Sequence, residues 1–197
     1  MSVISKEKLI ELVRNKELVI TPILSQEETF DHVSLNVRLS NQFIIMKKQS
    51  FPNFDIKSHP KNIEECHKKI KINYNESFIL HPGELILGST LEYFSIPKDI
   101  MGYVIGKSSW GRAGLIVATA TKVDPGFKGC ITLEIINEGV SPIIVYPGLP
   151  IAQLVLHKID STVDNEYTGN YKFSVGPVFP DFSEKTARWN FWFPRKL

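Results

Sequence analysis

The chain has 197 residues, of which 43% are hydrophobic and 22% are charged, and these are ordinary values for a globular domain. The formal net charge is only +2, which predicts neither nucleic acid nor an anionic membrane as a partner. There is no run of about 20 apolar residues that would span a bilayer, and the N-terminus lacks the features of a signal peptide. We therefore expect one cytoplasmic domain over residues 1–197.

The N-terminal part predicts one helix followed by strands. Residues 5–15 predict an amphipathic helix with Ser5 as the N-cap, because its apolar side chains share one face; these are Leu9, Ile10, Leu12 and Val13. The run 17–20 predicts a first strand, and the alternation within 33–45 predicts a half-buried strand. Residues 46–75 are rich in lysine and show little periodicity, which predicts a long solvated excursion.

From residue 77 onward, short apolar runs alternate with turn signals such as Pro82-Gly83 and Asp124-Pro125-Gly126. Regular short strands of this kind are typical of a sandwich, barrel or jelly roll. The fold class is therefore mainly β, with a short N-terminal helix. The C-terminal segment 186–197 holds two of the three tryptophans, and we expect it to pack on its own subunit or on a neighbour.

The segment 106–112, GKSSWGR, is the first candidate for chemistry. Its hydroxyls, its two cations and its backbone N–H groups have the character of a polyphosphate site. The order of residues is not that of a P-loop. A polar turn with a purely structural role is the alternative interpretation.

The segment 123–137 is the second candidate. Asp124 is either a turn-forming residue or a site carboxylate. Strand alternation places Glu134 on one face with Thr132 and Ile136, opposite Ile131, Leu133 and Ile135. A carboxylate there either faces solvent or, if it is buried, can act as a general base. Gln153, the one amide in an apolar strand, either supports a neighbouring backbone or contacts a ligand.

These segments, in this order, resemble the motifs of the dCTP deaminase family, a branch of the trimeric dUTPase superfamily. The resemblance extends from near the start to about residue 177. It rests on four motifs: SLNVRL (34–39), GKSSWGRAGL (106–115), KVDPGFKGCITLEIIN (122–137) and PGLPIAQLVL (147–156). The chain departs from the first motif at Asn36, where the family has aspartate, and at Ser40, where it has glycine.

The resemblance implies a distorted β-barrel or jelly roll of the dUTPase-like type that forms a homotrimer with shared active sites. It implies hydrolysis of dCTP to dUTP and ammonia, with Mg²⁺ accompanying the triphosphate rather than held by protein ligands. No zinc is expected, because the HxE…PCxxC arrangement of zinc deaminases is missing from the sequence. The substrates are small dCTP or dUTP molecules.

The resemblance also implies a role for each matching residue. Glu134 is the expected general base, and Ser108 and Arg112 are the other expected catalytic groups. The substrate-binding positions implied are Lys107, Ser109, Trp110, Gly111, Asp124, Thr132, Leu133 and Gln153, with Tyr167 and Tyr171 from a C-terminal lid in 160–197. In that lid, Asn170 stands where the family has lysine and Ser174 where it has glutamine.

Several functions remain open at this level. Thr121 and Lys122 resemble the polar pair of members that only deaminate, and we favour that activity. Gly111 favours the bifunctional alternative, in which dCTP yields dUMP and pyrophosphate and Asp124 orients a water at the α-phosphate. A dUTPase without deaminase activity and an inactive nucleotide-binding regulator are further alternatives.

Overall fold

A computed structural model of the protein describes residues 2–47, 66–119, 122–163, 167 and 169–181. The helices are α1 (Lys6–Arg14), α2 (Gln26–Thr29) and α3 (Ser108–Arg112). The strands, in chain order, are β1 (Ser2–Val3), β2 (Val19–Thr21), β3 (Leu35–Arg38), β4 (Gln42–Met46), β5 (His67–Lys71), β6 (Phe78–Leu80), β7 (Leu85–Ser95), β8 (Ile100–Gly106), β9 (Leu115–Val117), β10 (Lys122–Val123), β11 (Lys128–Asn137), β12 (Ile143–Val145) and β13 (Pro150–Lys158).

Within the described residues, the strands form two main sheets and a two-stranded ribbon. The first sheet has the order β1-β13-β8-β10, and β3 pairs with β13 beside β1. The second has the order β5-β4-β7-β11-β9, and β2 pairs with β7 beyond β4. The ribbon joins β6 to β12. These pairs are antiparallel, and the arrangement is a distorted jelly roll, as the sequence predicts.

The core lies between the sheets and is closed at one end by α1. Ser5 is the N-cap of α1 and its side chain accepts from the Lys8 N–H, which confirms the predicted start of the helix. Leu9 and Leu12 are buried, and Ile10 and Val13 pack against the core at its edge. The apolar stripe read from the sequence is therefore the face by which α1 is attached.

The predicted strand over 33–45 is wrong in one respect, because it is broken into β3 and β4. Leu39 forms an isolated bridge with Thr90, and the N–H of Ser40 donates to the Ser89 carbonyl. The chain crosses here from the first sheet to the second, and alternation alone does not reveal such a crossing. The predicted excursion 46–75 contains β5 at its end, while residues 48–65 lie outside the described part.

The two sheets are also joined by a buried ion pair. Arg38 and Glu92 are 3% and 1% exposed, and the Arg38 Nη1 lies 3.4 Å from the Glu92 Oε1. The backbone N–H of Arg38 donates to the other carboxylate oxygen at 2.9 Å. Beside them, the Thr90 hydroxyl accepts from the Ile131 N–H at 2.9 Å, where the register of β11 against β7 shifts. The residues at this irregularity, Cys130 to Thr132, line the pocket described below.

No helix in the described part of the chain is long and apolar enough to cross a membrane. The aromatic segment 186–197 lies outside the described residues, so its predicted packing stays a prediction.

Candidate active site

A pocket of about 410 Å³ lies on the outer face of β11, a size typical of a small-molecule site. Its polar lining residues are Thr119, Lys122, Asp124, Thr132 and Glu134. Its other lining residues are Leu85, Leu87, Val123, Phe127, Cys130, Ile131, Tyr167, Tyr171, Val178, Phe179 and Pro180. A few polar groups in an apolar cleft are what a nucleoside-sized ligand requires.

Glu134 is placed in this pocket by the alternation of β11. Leu133 and Ile135 are fully buried in the core, whereas Thr132, Glu134 and Ile136 are half-buried on the opposite face. The Glu134 N–H donates to the Thr119 hydroxyl at 3.2 Å, and its carbonyl accepts from Ala118 at 2.8 Å. The backbone beneath the carboxylate is therefore fixed on both sides by the segment that follows β9.

A second carboxylate lines the same pocket. Asp124 follows β10, and its Oδ1 lies 2.6 Å from the Lys122 Nζ. Both side chains are partly exposed, at 36% for Asp124 and 58% for Lys122. Among the described residues that line the pocket, Lys122 is the only cation. Its ammonium offsets the charge of the Asp124 carboxylate within the pocket wall.

Aromatic rings form part of the wall. Phe127 and Tyr167 meet edge to face, with centroids 5.7 Å apart. Phe179 packs in the same way on buried His67, at 6.0 Å.

Burial raises the pKa of the Cys130 thiol above its ordinary value, so this pocket residue is held as a neutral thiol.

The C-terminal segment 169–181, called the lid below, is docked along β11. The N–H of Phe173 donates to Lys128 O at 2.6 Å, and the N–H of Cys130 donates to Ser174 O at 2.8 Å. The Ser174 hydroxyl donates in return to Cys130 O at 2.9 Å. Further along, the N–H of Val178 donates to the Thr132 hydroxyl at 3.2 Å. The lid thus closes one side of the pocket on its own chain.

The two residues that depart from the family pattern in the lid both have local partners. Ser174 makes the bond to β11 just described. The Asn170 amide donates to the Asp181 carboxylate at 2.8 Å, and the Asp181 N–H donates to the Tyr171 hydroxyl at 3.3 Å. These bonds join the two ends of the lid to each other.

The residues predicted from the GKSSWGR segment lie elsewhere on the chain. Ser108, Ser109, Gly111 and Arg112 belong to α3 and are exposed, and none of them lines the pocket. The Trp110 indole N–H donates to Pro150 O at 3.0 Å, and the Trp110 side chain packs against the core. The predicted site residues of one chain therefore lie in two separate places, the pocket and the exposed surface of α3.

Lys107 and Gln153 also lie outside the pocket lining. Lys107 is the N-cap residue of α3 and makes no side-chain capping bond. Its Nζ donates instead to the Asn36 Oδ1 at 2.6 Å. Gln153 donates to the same oxygen at 3.3 Å and to the Asp31 carboxylate at 3.2 Å. Both expected substrate-binding side chains have partners within their own chain.

One pocket brings together five residues that the sequence predicts for the site, namely Glu134, Asp124, Thr132, Tyr167 and Tyr171. Leu133 points into the core, so only its backbone faces the site. The pocket adds residues that sequence reasoning missed: Thr119, Phe127 and Cys130. Phe127 and Cys130 lie inside the quoted third motif, which is the signal that could have found them.

Within the described residues, no group of three or more His, Cys, Asp or Glu side chains is arranged to hold a metal ion. Mg²⁺ in nucleotide sites is commonly bound by substrate phosphates with only one or two carboxylates. A pocket with Asp124 and Glu134 fits a Mg²⁺ that arrives with a triphosphate.

The fold and the pocket define a jelly-roll protein with a carboxylate-lined cleft of the size that small-molecule ligands occupy. The family model described as "dCTP deaminase-like" matches residues 3–159. This chain is a member of the dCTP deaminase-like family.

The chain is 36% identical over 176 residues to "dCTP deaminase, dUMP-forming" of Persephonella marina, covering 88% of this chain and 93% of that one. It is 40% identical over 151 residues to the protein of the same name from Corynebacterium diphtheriae, covering 74% and 79%. The solved 2'-deoxycytidine 5'-triphosphate deaminase of Agrobacterium tumefaciens shares the fold, with a TM-score of 0.60 at 19% identity, covering 78% of this chain and 45% of that one.

These relatives correct the choice made from the sequence. The polar pair Thr121 and Lys122 favours deamination to dUTP alone, and this prediction is wrong. Relatives that match most of the chain are named as dUMP-forming. Thr121 lies outside the described residues. Lys122 is paired with Asp124, and both side chains line the pocket. The polar residue at position 122 therefore does not exclude the Asp124 carboxylate from the site.

Proposed function

We propose that this protein converts dCTP to dUMP, ammonia and pyrophosphate. The observation that carries the proposal is that two carboxylates, Glu134 of β11 and Asp124 in the turn after β10, line one pocket. Two hydrolytic steps consume two waters, and the two carboxylates offer a separate acceptor for each. The names of the relatives support the same product.

In the first step, Glu134 takes a proton from a water as the hydroxide adds to C4 of cytosine. Glu134 gives this proton to N3 of the ring, a second proton passes from the new C4 hydroxyl to the amine, and the C4–N bond breaks to release ammonia and leave uracil. The half-buried position of Glu134 suits this role, because partial removal from water strengthens its interaction with the reacting atoms. The fixed backbone at Thr119 and Ala118 holds the carboxylate in place.

In the second step, Asp124 orients a water toward the α-phosphorus. The oxygen of that water bonds to the α-phosphorus, its proton passes to Asp124, and the bond to the α,β-bridging oxygen breaks so that pyrophosphate leaves with the electron pair. Mg²⁺ bound to the phosphates would offset their charge. Lys122 is placed beside Asp124 to do the same within the chain.

The phosphate-binding group is proposed to come from a second copy. Ser108, Ser109 and Arg112 match the family motif but are exposed on α3, away from the pocket of their own chain. In a homotrimer, α3 of one subunit can complete the pocket of its neighbour. Arg112 would then contact phosphates, for which its planar cation is well suited.

Incubation of the purified protein with dCTP and Mg²⁺, followed by anion-exchange separation, tests the proposed products. We expect dUMP, pyrophosphate and ammonia in equal amounts. Glu134→Gln should lose ammonia release by about 10²- to 10⁴-fold while it still cleaves dUTP, and Asp124→Asn should lose dUMP formation. Exposed Glu138 provides the matched control as Glu138→Gln. Accumulation of dUTP, or binding without turnover, would refute the proposal.

Shared sites are tested by mixing two inactive variants after denaturation and refolding. Glu134→Gln subunits retain α3, and Arg112→Ala subunits retain the pocket. In random trimers roughly a quarter of the sites would hold both intact parts, so activity should return to about that fraction. The control mixture replaces Arg112→Ala by the double variant, which offers no intact pocket. Absence of recovery in the first mixture would show that each site belongs to one chain.

A further inference from the structure

Four side chains form a hydrogen-bonded cluster on the first sheet, and we name it the clamp: Asp31, Asn36, Lys107 and Gln153. Asn36 Oδ1 accepts from Lys107 Nζ at 2.6 Å and from Gln153 Nε2 at 3.3 Å. Gln153 Nε2 also donates to Asp31 Oδ2 at 3.2 Å. All four residues are half-buried, so these bonds are partly shielded from water.

The orientation of the Asn36 amide follows from its partners. A lysine ammonium only donates hydrogen bonds, so the atom that faces Lys107 must be the acceptor oxygen. The Asn36 Nδ2 then donates to the Glu28 carbonyl at 2.7 Å. An aspartate at this position would place a second acceptor oxygen against that carbonyl. Asparagine satisfies both neighbours, which gives the departure from the family's aspartate a local reason.

The clamp connects segments that are distant in sequence. Asn36 of β3 lies directly opposite Gln153 of β13, and Gln153 pairs on its other side with Ile105 of β8. Lys107 follows β8 immediately and is the residue from which α3 begins. Its side chain therefore attaches the start of α3 to β3.

Charge within the clamp is balanced locally. The N–H of His32 donates to the Asp31 carboxylate at 2.8 Å. This bond is the main reason that the pKa of Asp31 is lowered, and the nearby charge of Lys107 contributes. The Lys107 ammonium thus already has an amide acceptor and a neighbouring carboxylate, and it would have to leave both to reach a phosphate.

We infer that Lys107 is a positioning residue, held by Asn36, that sets the direction in which α3 presents Ser108 and Arg112. This inference rests on the proposed function, because only there do Ser108 and Arg112 contact the substrate. A displaced α3 would misplace reacting groups, and small misplacements lower kcat strongly. Loss of a direct phosphate ligand would instead appear mainly in KM.

A double-mutant cycle tests the inference with the full-length protein, dCTP and Mg²⁺. Lys107→Met and Asn36→Leu should each lower kcat by about tenfold with a smaller change in KM. The double variant should be no worse than the more impaired single variant, because one connection is lost in all three. Asn36→Asp keeps an acceptor for Lys107 and should retain most of kcat, although the protein unfolds at a lower temperature.

Lys8→Met, which removes an exposed lysine paired with Glu11 on α1, is the control for loss of one cation and should be silent. A rise in KM for Lys107→Met at unchanged kcat, with Asn36→Leu silent, would show that Lys107 binds phosphate directly. Additive effects of the two substitutions on kcat would also overturn the inference that Asn36 acts by holding Lys107. A wild-type protein that turns over no dCTP would overturn the proposed function and this inference together, whereas the other two results overturn the inference alone.

Discussion

The ammonium of Lys122 lies 2.6 Å from the carboxylate of Asp124, and both side chains line the pocket that contains Glu134. Without Lys122, the described wall of the pocket would carry two carboxylates and no cation. The two carboxylates would then repel the negatively charged phosphates of a nucleoside triphosphate. This relationship gives Lys122 a predicted effect on substrate affinity.

Lys122→Met should raise KM for dCTP by up to about fivefold, since one solvent-exposed charge interaction contributes at most about 1 kcal/mol. The effect should shrink at high salt, because screening weakens exposed charges. Steady-state kinetics at two ionic strengths measures both. The matched control is Lys158→Met, which breaks the Lys158–Asp99 pair outside the pocket. An equal KM effect from this control would refute a local role for Lys122.

Thr119→Val should reduce both stability and turnover. The buried Thr119 hydroxyl accepts the Glu134 N–H, and leaving a buried donor unsatisfied costs about 1–3 kcal/mol. Urea unfolding and ammonia release measure the two effects. Thr119→Ser keeps the hydroxyl and should stay near wild type in turnover; if it falls as far as the valine variant, the hydrogen bond is not the cause.

The burial of Glu92 should make the free energy of unfolding depend on pH. Burial raises its pKa above the ordinary 4.5, and the bonds from Arg38 offset this only in part. A carboxyl group with a raised pKa binds its proton more tightly in the folded state. Its contribution to the free energy of unfolding is therefore complete below pH 4.5 and declines as the pH rises through the folded-state pKa.

Unfolding of wild type and Glu92→Gln between pH 4 and 8 tests this sign. The stability of wild type relative to the variant should fall as the pH rises. A relative stability that increases with pH would mean that the Arg38 contacts outweigh burial. Glu138→Gln, an exposed change, should show neither trend.

Gly129→Ala should undock the lid. A Cβ at Gly129 would lie 2.9 Å from Ser174 Oγ and 3.1 Å from Ser174 N. The φ of Gly129, +151°, is also unfavourable for any residue with a side chain. We expect KM for dCTP to rise about tenfold and proteolytic cleavage within 169–181 to accelerate, since docking bonds of about 1 kcal/mol each are lost. Ser174→Ala removes one such bond and should show a smaller change of the same kind. Unchanged proteolysis in both variants would show that these contacts do not hold the lid.

The sequence by itself determined the β-rich fold, the start of α1 and the face on which Glu134 lies. These features depend on local periodicity and on capping, which are properties of neighbouring residues. The ordered motifs also predicted Asp124 and Thr132 as site residues, and the resemblance of the lid predicted Tyr167 and Tyr171; all four line the pocket. Strand alternation in β11 was sufficient because its core face, at Leu133 and Ile135, is fully buried.

Only the tertiary structure decided which segments meet. Lys107 and Asn36 are 71 positions apart, and their contact depends on the pairing of β3 with β13 and of β13 with β8. The break between β3 and β4 and the position of Thr119 beneath Glu134 depend likewise on crossings between strands. Periodicity states which face of a strand is buried, but register and strand order decide what lies opposite that face.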